Sequence, residues 1–406
     1  MQTLRVGFLS FHDHLDRNAW SGTLFYMQRA LKARDIQVVS LREAKKISLG
    51  QKILQKISRY IGKNNGSSEP KIGSVSYLAE CHKLTSVVEK KLAQTPCDVI
   101  FAPVASRELM FHNASIPIIY LSDVTFSLYR QLYEVGFDKQ ECDWASKEES
   151  IAISKASKLF YSSQWAADSA ISDYQAEAQK IEIIPFGANL DTPPLAEEAL
   201  AKKPNSTCRL LLIGKDWYRK GGDIAFQTLI SLLQKGVDAE LVVVGCVPPA
   251  EIKHDKLIVI PYLNKNVPQE RKKLDKLFLS SHFFILPTRA DCSPIVTCEA
   301  NAFGLPVLTT DVGGIPTIIK EGKNGYMLSL SASGDAYADL IIENFSEESV
   351  YDNLRHSSRK EYETRLNWDK WAERFHHEAI DLLNQTNLQR EPVLVERLAK
   401  SMTSKE

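Results

Sequence analysis

Two carboxylates, separated by seven residues, stand in DCSPIVTCEANAFGLPV, Asp291–Val307, a stretch that otherwise reads as the buried start of a helix. The preceding FFILP ends a strand and TRADCS forms a loop. Pro294 fits a first helical turn because its missing N–H is not needed there, and Ser293 is then the candidate N-cap. Asp291 falls in the loop and Glu299 about one and a half turns into the helix, roughly 8 Å apart along the axis at about 1.5 Å per residue. Such a pair can grip two ends of one ligand. The helix N-terminus between them offers free N–H groups and a positive dipole end to a phosphate. A sugar nucleotide has that layout, although a surface Asp and a helical Glu also meet at this spacing by chance.

A second segment, LLLIGKDWYRKGGDIAFQTL, Leu210–Leu229, ends a strand at Gly214, carries Lys215, Arg219 and Lys220 in a loop, and enters an amphipathic helix through Gly221 and Gly222. Three cations at a strand end can stabilise the charge of a departing diphosphate; the bland alternative is a basic loop in water. Trp217 and Tyr218 read as packing residues rather than as stacking partners for a base. A third segment, TTDVGGIPTIIKEGKNGYML, Thr309–Leu328, gives a strand end, a Gly313-Gly314 turn that lets backbone approach a ligand, and a helix start near Pro316. None of these matches the GxGxxG or P-loop pattern, so NAD and ATP lose ground. With no Asp-x-Asp motif in the chain, no metal is expected to bridge a diphosphate, and no carboxylate dyad stands at glycosidase spacing.

The elements that must position these residues follow from the pattern of apolar runs. A chain of 406 residues exceeds what one core usually serves, so two domains or one large one are expected. RVGFL, IQVVSL, DVIFAP, IPIIYL, KLFYSS and IEIIPF recur through the first 186 residues with helix-length segments between many of them. That alternation is the mark of an α/β domain with a parallel sheet. After Gly187–Thr207, a polar, proline-bearing stretch that reads as a linker and hinge, the rhythm restarts with RLLLIG, ELVVVG, KLIVI, FFILPT and LPVLTT. Two doubly wound domains facing across a cleft would enclose a ligand outside the carboxyl ends of their strands. The expected boundaries are 1–190 for the first domain and 191–367 for the second. A helix over about 368–385, with Trp368, Trp371, Ala372, Phe375 and Ala379 at helical spacing, packs back on the first domain, and 386–406 forms a mobile tail.

Fifty basic and fifty acidic side chains give a net charge of zero, so no overall field attracts nucleic acid. Seven scattered cysteines without a CxxC pair suit a reducing, cytoplasmic setting and argue against structural zinc. No signal-peptide layout opens the chain. Arg42–Lys63 is basic with interleaved isoleucines; it would lie on an anionic membrane at the inner face, grip an acidic acceptor, or dock its apolar side on the first domain.

IGKDWYRKGG followed by LPTRADCSPIVTCEANAFGLPVLTTDVGGIPTII resembles the donor half of the family-four retaining glycosyltransferases, the glycosyl transferases group one, which have the GT-B fold of two Rossmann-like domains. The resemblance is strong over Leu210–Leu328 and looser before it. It implies a retaining hexosyltransferase that moves a sugar from a UDP- or GDP-sugar to a glycan, lipid or small-molecule hydroxyl, with the nucleotide sugar as substrate, no cofactor and no metal. In that family an acidic residue, seven others and a Glu contact the transferred sugar and the nucleotide ribose; Asp291 and Glu299 occupy those places. The usual first residue is Glu, followed by a Gly-Phe-Gly loop, where this chain has Asp291 followed by Cys292-Ser293-Pro294. The family's diphosphate-binding Arg and Lys fall on Lys215 and Lys220, with Arg219 available for the Arg role. Ser293, Pro294, Ile295 and Gly214 complete the donor side. DRNAWSGTLFYMQRAL, Asp16–Leu31, resembles the family's glycine loop and points to Gly22 and Thr23. YLSDVTF offers Asp123 where many members carry a His; it would bond a sugar hydroxyl, orient the acceptor, or cap the next helix. Ser163 and Gln164 would edge the cleft, with Trp165 in the core. His12, Asp13 and His14 follow the first strand, where they could meet an acceptor hydroxyl or form a surface loop. Two other readings are a GT-B epimerase or phosphorylase and a non-catalytic nucleotide-sugar-binding protein.

Overall fold

The structure, a computed structural model, describes residues 3–42, 70–113, 115–133, 136–201 and 207–403, with side chains described to residue 386. Most of the Arg42–Lys63 segment, from residue 43 on, lies outside the described residues. Twelve strands form two parallel six-stranded sheets. The first contains β1 Arg5–Phe8, β2 Gln37–Ser40, β3 Val99–Pro103, β4 Ile118–Ser122, β5 Lys158–Tyr161 and β6 Ile181–Ile183, in the order β2-β1-β3-β4-β5-β6. The second contains β7 Cys208–Ile213, β8 Ala239–Val244, β9 Leu257–Ile260, β10 Phe283–Leu286, β11 Val307–Thr310 and β12 Gly325–Leu328, in the order β12-β11-β10-β7-β8-β9. β3, β4 and β10 are buried along their whole length, as strands covered by helices on both faces must be. β12 is the strand that the apolar runs did not announce. It has four residues, three of them only half-buried.

The strand order turns back beside β1 in one sheet and beside β7 in the other. The loops leaving these strands carry Asp16–Gly22 and Lys215–Gly221, so both segments lie at the switch points where such sheets bind ligands.

The junction differs from a solvated linker. Phe186, Ala188, Asn189 and Leu190 are buried, because this crossover lies against the return crossover, with Ala188 N–H donating to the Leu366 carbonyl at 3.0 Å. A Cβ on Gly187 would stand 2.4 Å from the Trp368 nitrogen, which is why the first crossover begins with glycine. The last helix, Trp368–Thr403, is longer than its periodic segment. Trp368, Trp371, Ala372, Phe375, Ala379 and Leu382 enter the same core as Val6, Phe8, Phe101 and Phe160 of the first sheet.

Candidate functional site

Lys220, on the turn that follows β7, forms an ion pair with Asp291, on the loop that follows β10. Both side chains are almost covered, so each charge depends on the other for compensation. Close backbone packing fixes the two loops. Gly221 has φ +71°, and a Cβ there would lie 2.0 Å from the Pro287 carbonyl oxygen. Arg289 N–H donates to the Arg219 carbonyl at 2.7 Å, and Thr288 Oγ1 to the same oxygen at 3.0 Å. Gly214 leaves room for the Lys220 stem, whose Cγ would be 2.7 Å from an added Cβ. Behind the loop, Gly313 and Gly314 would place Cβ atoms 2.0 Å from the Asp291 carbonyl oxygen and 1.9 Å from that of Cys292. The Gly-Gly turn therefore supports the loop that carries Asp291. The helix begun near Pro316 is a single turn, Ile315–Ile318.

The three cations differ in what they do. The Arg219 guanidinium donates to the Ala290 carbonyl at 3.0 Å and lies 5.8 Å from the Tyr133 ring centroid, so it ties the loop to the first domain. Lys215 is exposed at the end of β7. Tyr218 does not pack. It is 57% exposed, whereas Trp217 is buried against Gly222.

Ser293 is not the N-cap. The helix runs Ile295–Ala302 with Pro294 in the capping position, because Pro294 takes extended backbone (ψ 95°) instead of opening the first turn. Ser293 turns to the first domain, where its hydroxyl and that of Ser162 share a hydrogen bond of 2.7 Å. Ile295 reaches the first domain's core. Gln164 N–H donates to Thr317 Oγ1 at 3.0 Å, and Ser163 caps its own helix from a buried position beside Gly314. Trp165 packs on the first domain's second core cluster.

From the first domain, Asp123 follows β4 into the same region. Its surface is partly open, yet protein surrounds the carboxyl as densely as in the interior, and that density governs desolvation. Burial chiefly, with the Asp291 charge adding to it, raises its pKa to about 6, while its own backbone N–H and the Trp20 indole oppose the rise. Asp123 does not cap the next helix; Thr125 does, accepting from Leu128 N–H at 3.4 Å. Trp20 was not singled out from the sequence. It and Ser21 hold φ of +45° and +58°, in a turn that ends at Gly22 with φ +88°. Thr23 is buried as the first residue of the helix Thr23–Ala33. Cys292 lies beside Tyr133, with Sγ 3.7 Å from the hydroxyl; burial first and the Asp123 charge next push its thiol far up, so it is neutral.

Glu299 is buried on its helix, with Lys265 Nζ 3.5 Å away. Lys265, on the loop that follows β9, has no motif around it. His14 packs under Phe8 with ring centroids 4.9 Å apart, and burial holds it below the ordinary imidazole value. Asp13 closes a local turn by accepting from Leu15 N–H at 2.9 Å, and His12 is exposed.

Two parallel α/β domains, with the charged groups of both gathered at the carboxyl ends of their strands, make this a GT-B protein. Residues 207–346, which make up most of the second domain, match the family Glycosyl transferases group 1. It is 25% identical over 252 residues to a D-inositol 3-phosphate glycosyltransferase of Xylanimonas cellulosilytica, a match covering 56% of this chain and 57% of that protein. It is 24% identical over 253 residues to spore coat protein SA of Bacillus subtilis, covering 56% and 65%. The chain thus spans about three fifths of the length of these curated relatives. Among solved structures, sucrose-phosphate synthase of Thermosynechococcus elongatus superposes with a TM-score of 0.65 at 15% identity, covering 94% of this chain and 100% of that one. HepE of Anabaena, in complex with UDP and glucose, gives 0.60 at 13%, covering 93% and 99%. At such identities the likeness is one of fold.

Proposed function

We propose that the chain is a retaining, metal-independent glycosyltransferase that moves a hexose from a UDP- or GDP-sugar to an acceptor hydroxyl. The observation that carries this reading is the meeting of Lys220 and Asp291 with Asp123 across the two domains, while Glu299 holds the far end of the same helix start. Asp291 would hold the transferred sugar and Glu299 the nucleotide ribose. Lys220, with Lys215 or Arg219, would meet the charge that grows on the leaving diphosphate, a task that preorganised cations perform best in a cleft closed to water. The acceptor hydroxyl then attacks from the face the diphosphate leaves, and the departing phosphate takes its proton. Seven unpaired cysteines support a cytoplasmic setting, and among the described residues no helix is long and apolar enough to cross a membrane.

The test is a thermal-shift panel of UDP, GDP, ADP and their sugars, with and without EDTA, on wild type and Glu299→Ala. One diphosphate series should raise the wild-type Tm equally in EDTA and raise that of the variant far less. Absence of any shift in the wild type would remove the donor site. A requirement for divalent cation would overturn metal independence.

A further inference from the structure

Lys265 is half-buried at the point where the two domains touch. Its ammonium lies 3.5 Å from Glu299 Oε1 and donates to the Ser21 carbonyl at 3.1 Å. Its neighbour Asn266 donates from Nδ2 to Asn18 Oδ1 at 3.0 Å, so the loop after β9 grips the Asn18–Gly22 turn at two places. The gripping loop is itself held: Asn264 N–H donates to Glu270 Oε2 at 2.6 Å, and Asn264 Oδ1 accepts from Asn266 N–H at 3.0 Å. On the receiving side, Ser21 and Trp20 are the two left-handed residues of the first domain's strained turn. Asn189 in the crossover donates to the same Ser21 carbonyl at 3.0 Å. The Trp20 ring meets Phe186 edge-on at 5.5 Å, and its indole favours the charged form of the Asp123 carboxyl.

We infer that Lys265 is a positioning residue that couples Glu299 in the second domain to the Trp20–Ser21 turn that orients Asp123 in the first. The physical basis is a chain of direct contacts from the Glu299 carboxylate through the Lys265 ammonium to the Ser21 carbonyl, next to Trp20, whose indole acts on the ionisation of Asp123. Left-handed backbone at two successive non-glycine residues persists only where surrounding contacts over-determine it, and Lys265 supplies one of those contacts from across the cleft. A ligand that engages Glu299 changes the partner of the ammonium and thereby the hold on the turn. This inference rests on the donor reading of Glu299, but the turn itself can be observed without any substrate.

The experiment compares wild type, Lys265→Met and Lys265→Arg. Amide hydrogen exchange of residues 18–23 in the ligand-free protein should be faster in Lys265→Met and restored in Lys265→Arg. With the donor found in the thermal-shift panel, Lys265→Met should lower kcat roughly tenfold to a hundredfold, as misplacement of a reacting geometry does. It should also move the acid limb of the rate–pH profile upward, because a carboxyl that loses the indole donor loses a contact favouring its charged form. Unchanged exchange in Lys265→Met overturns the coupling, as does a lowered kcat with the acid limb in place. Wild type that binds no nucleotide sugar would instead defeat the donor reading, while the exchange result still decides whether Lys265 holds the turn.

Discussion

Asp123 is the side chain whose ionisation the site alters most usefully. Its pKa of about 6 in the folded protein lies above the value near 4 of an unfolded aspartate, so the fold favours the protonated form. The stabilisation that this preference gives is fully present below pH 4 and is lost as pH rises through 6. Asn at this position stays neutral throughout. Asp123→Asn should therefore melt higher than wild type at pH 7.5, by about 1 kcal/mol after allowance for the partly open cleft, and equal to it near pH 3.5. Thermal melts across that range check the sign. A difference that is the same at every pH would mean that the carboxyl is not desolvated. Transfer by the same variant should fall by about two orders of magnitude if Asp123 handles a substrate hydroxyl, whereas a purely structural aspartate would leave it intact.

Among elements, the two loops that meet at Lys220 and Asp291 depend on glycine where backbone passes backbone. Gly221→Ala adds a Cβ 2.0 Å from the Pro287 oxygen at φ +71°, while Gly322→Ala adds one to a similar φ of +67° with nothing within 4 Å. Left-handed strain alone costs about 1 kcal/mol, which is what Gly322→Ala should show in urea unfolding, with transfer unchanged. Gly221→Ala should cost more than twice that and abolish donor-induced stabilisation, because the loop must leave Pro287 and carry Lys220 with it. Equal losses for the two variants would show that the contact with Pro287 can relax. The strands of both sheets and the segments holding Lys220, Asp291 and Glu299 were legible because β-branched runs, loop glycines and the carboxylate spacing are local features. β12 escaped because GYML is short, half-covered and begins at a glycine whose φ of +153° other residues rarely adopt. Ser293 was misread because a serine before a proline looks like a cap until its hydroxyl is seen bonded to Ser162, 131 positions away in the chain. Trp20 and Lys265 share that difficulty: one lies in a turn of unusual backbone that meets Phe186 far along the chain, and the other in a loop with no motif that finds its partners only where the two domains meet.

At the scale of the whole molecule, the chain's last helix belongs to the first domain while the helix before it belongs to the second. Leu366 is buried in a second-domain core and Trp368, two residues on, in the first-domain core. The Trp368 indole donates to Asn189 Oδ1 at 2.8 Å, which locks the two crossovers side by side. Trp371 is wholly buried beyond them, stacked on Phe375 with ring centroids 5.5 Å apart and tilted against Phe101 of β3 at 5.7 Å. Trp371→Ala should cost about 3–5 kcal/mol, the usual consequence of emptying so large a site. The loss should be confined to the domain that the ring completes, since Trp371 makes no part of the cores around β7, β8, β10 and β11. Native-state hydrogen exchange separates the alternatives: amides of β1 and β3 should lose protection while those of β7 and β8 keep theirs. Equal loss in both sheets would show that the paired crossovers bind the domains into one cooperative unit. In that case the cleft could not open by independent motion of two stable halves, and donor entry would require movement of the loops at its mouth.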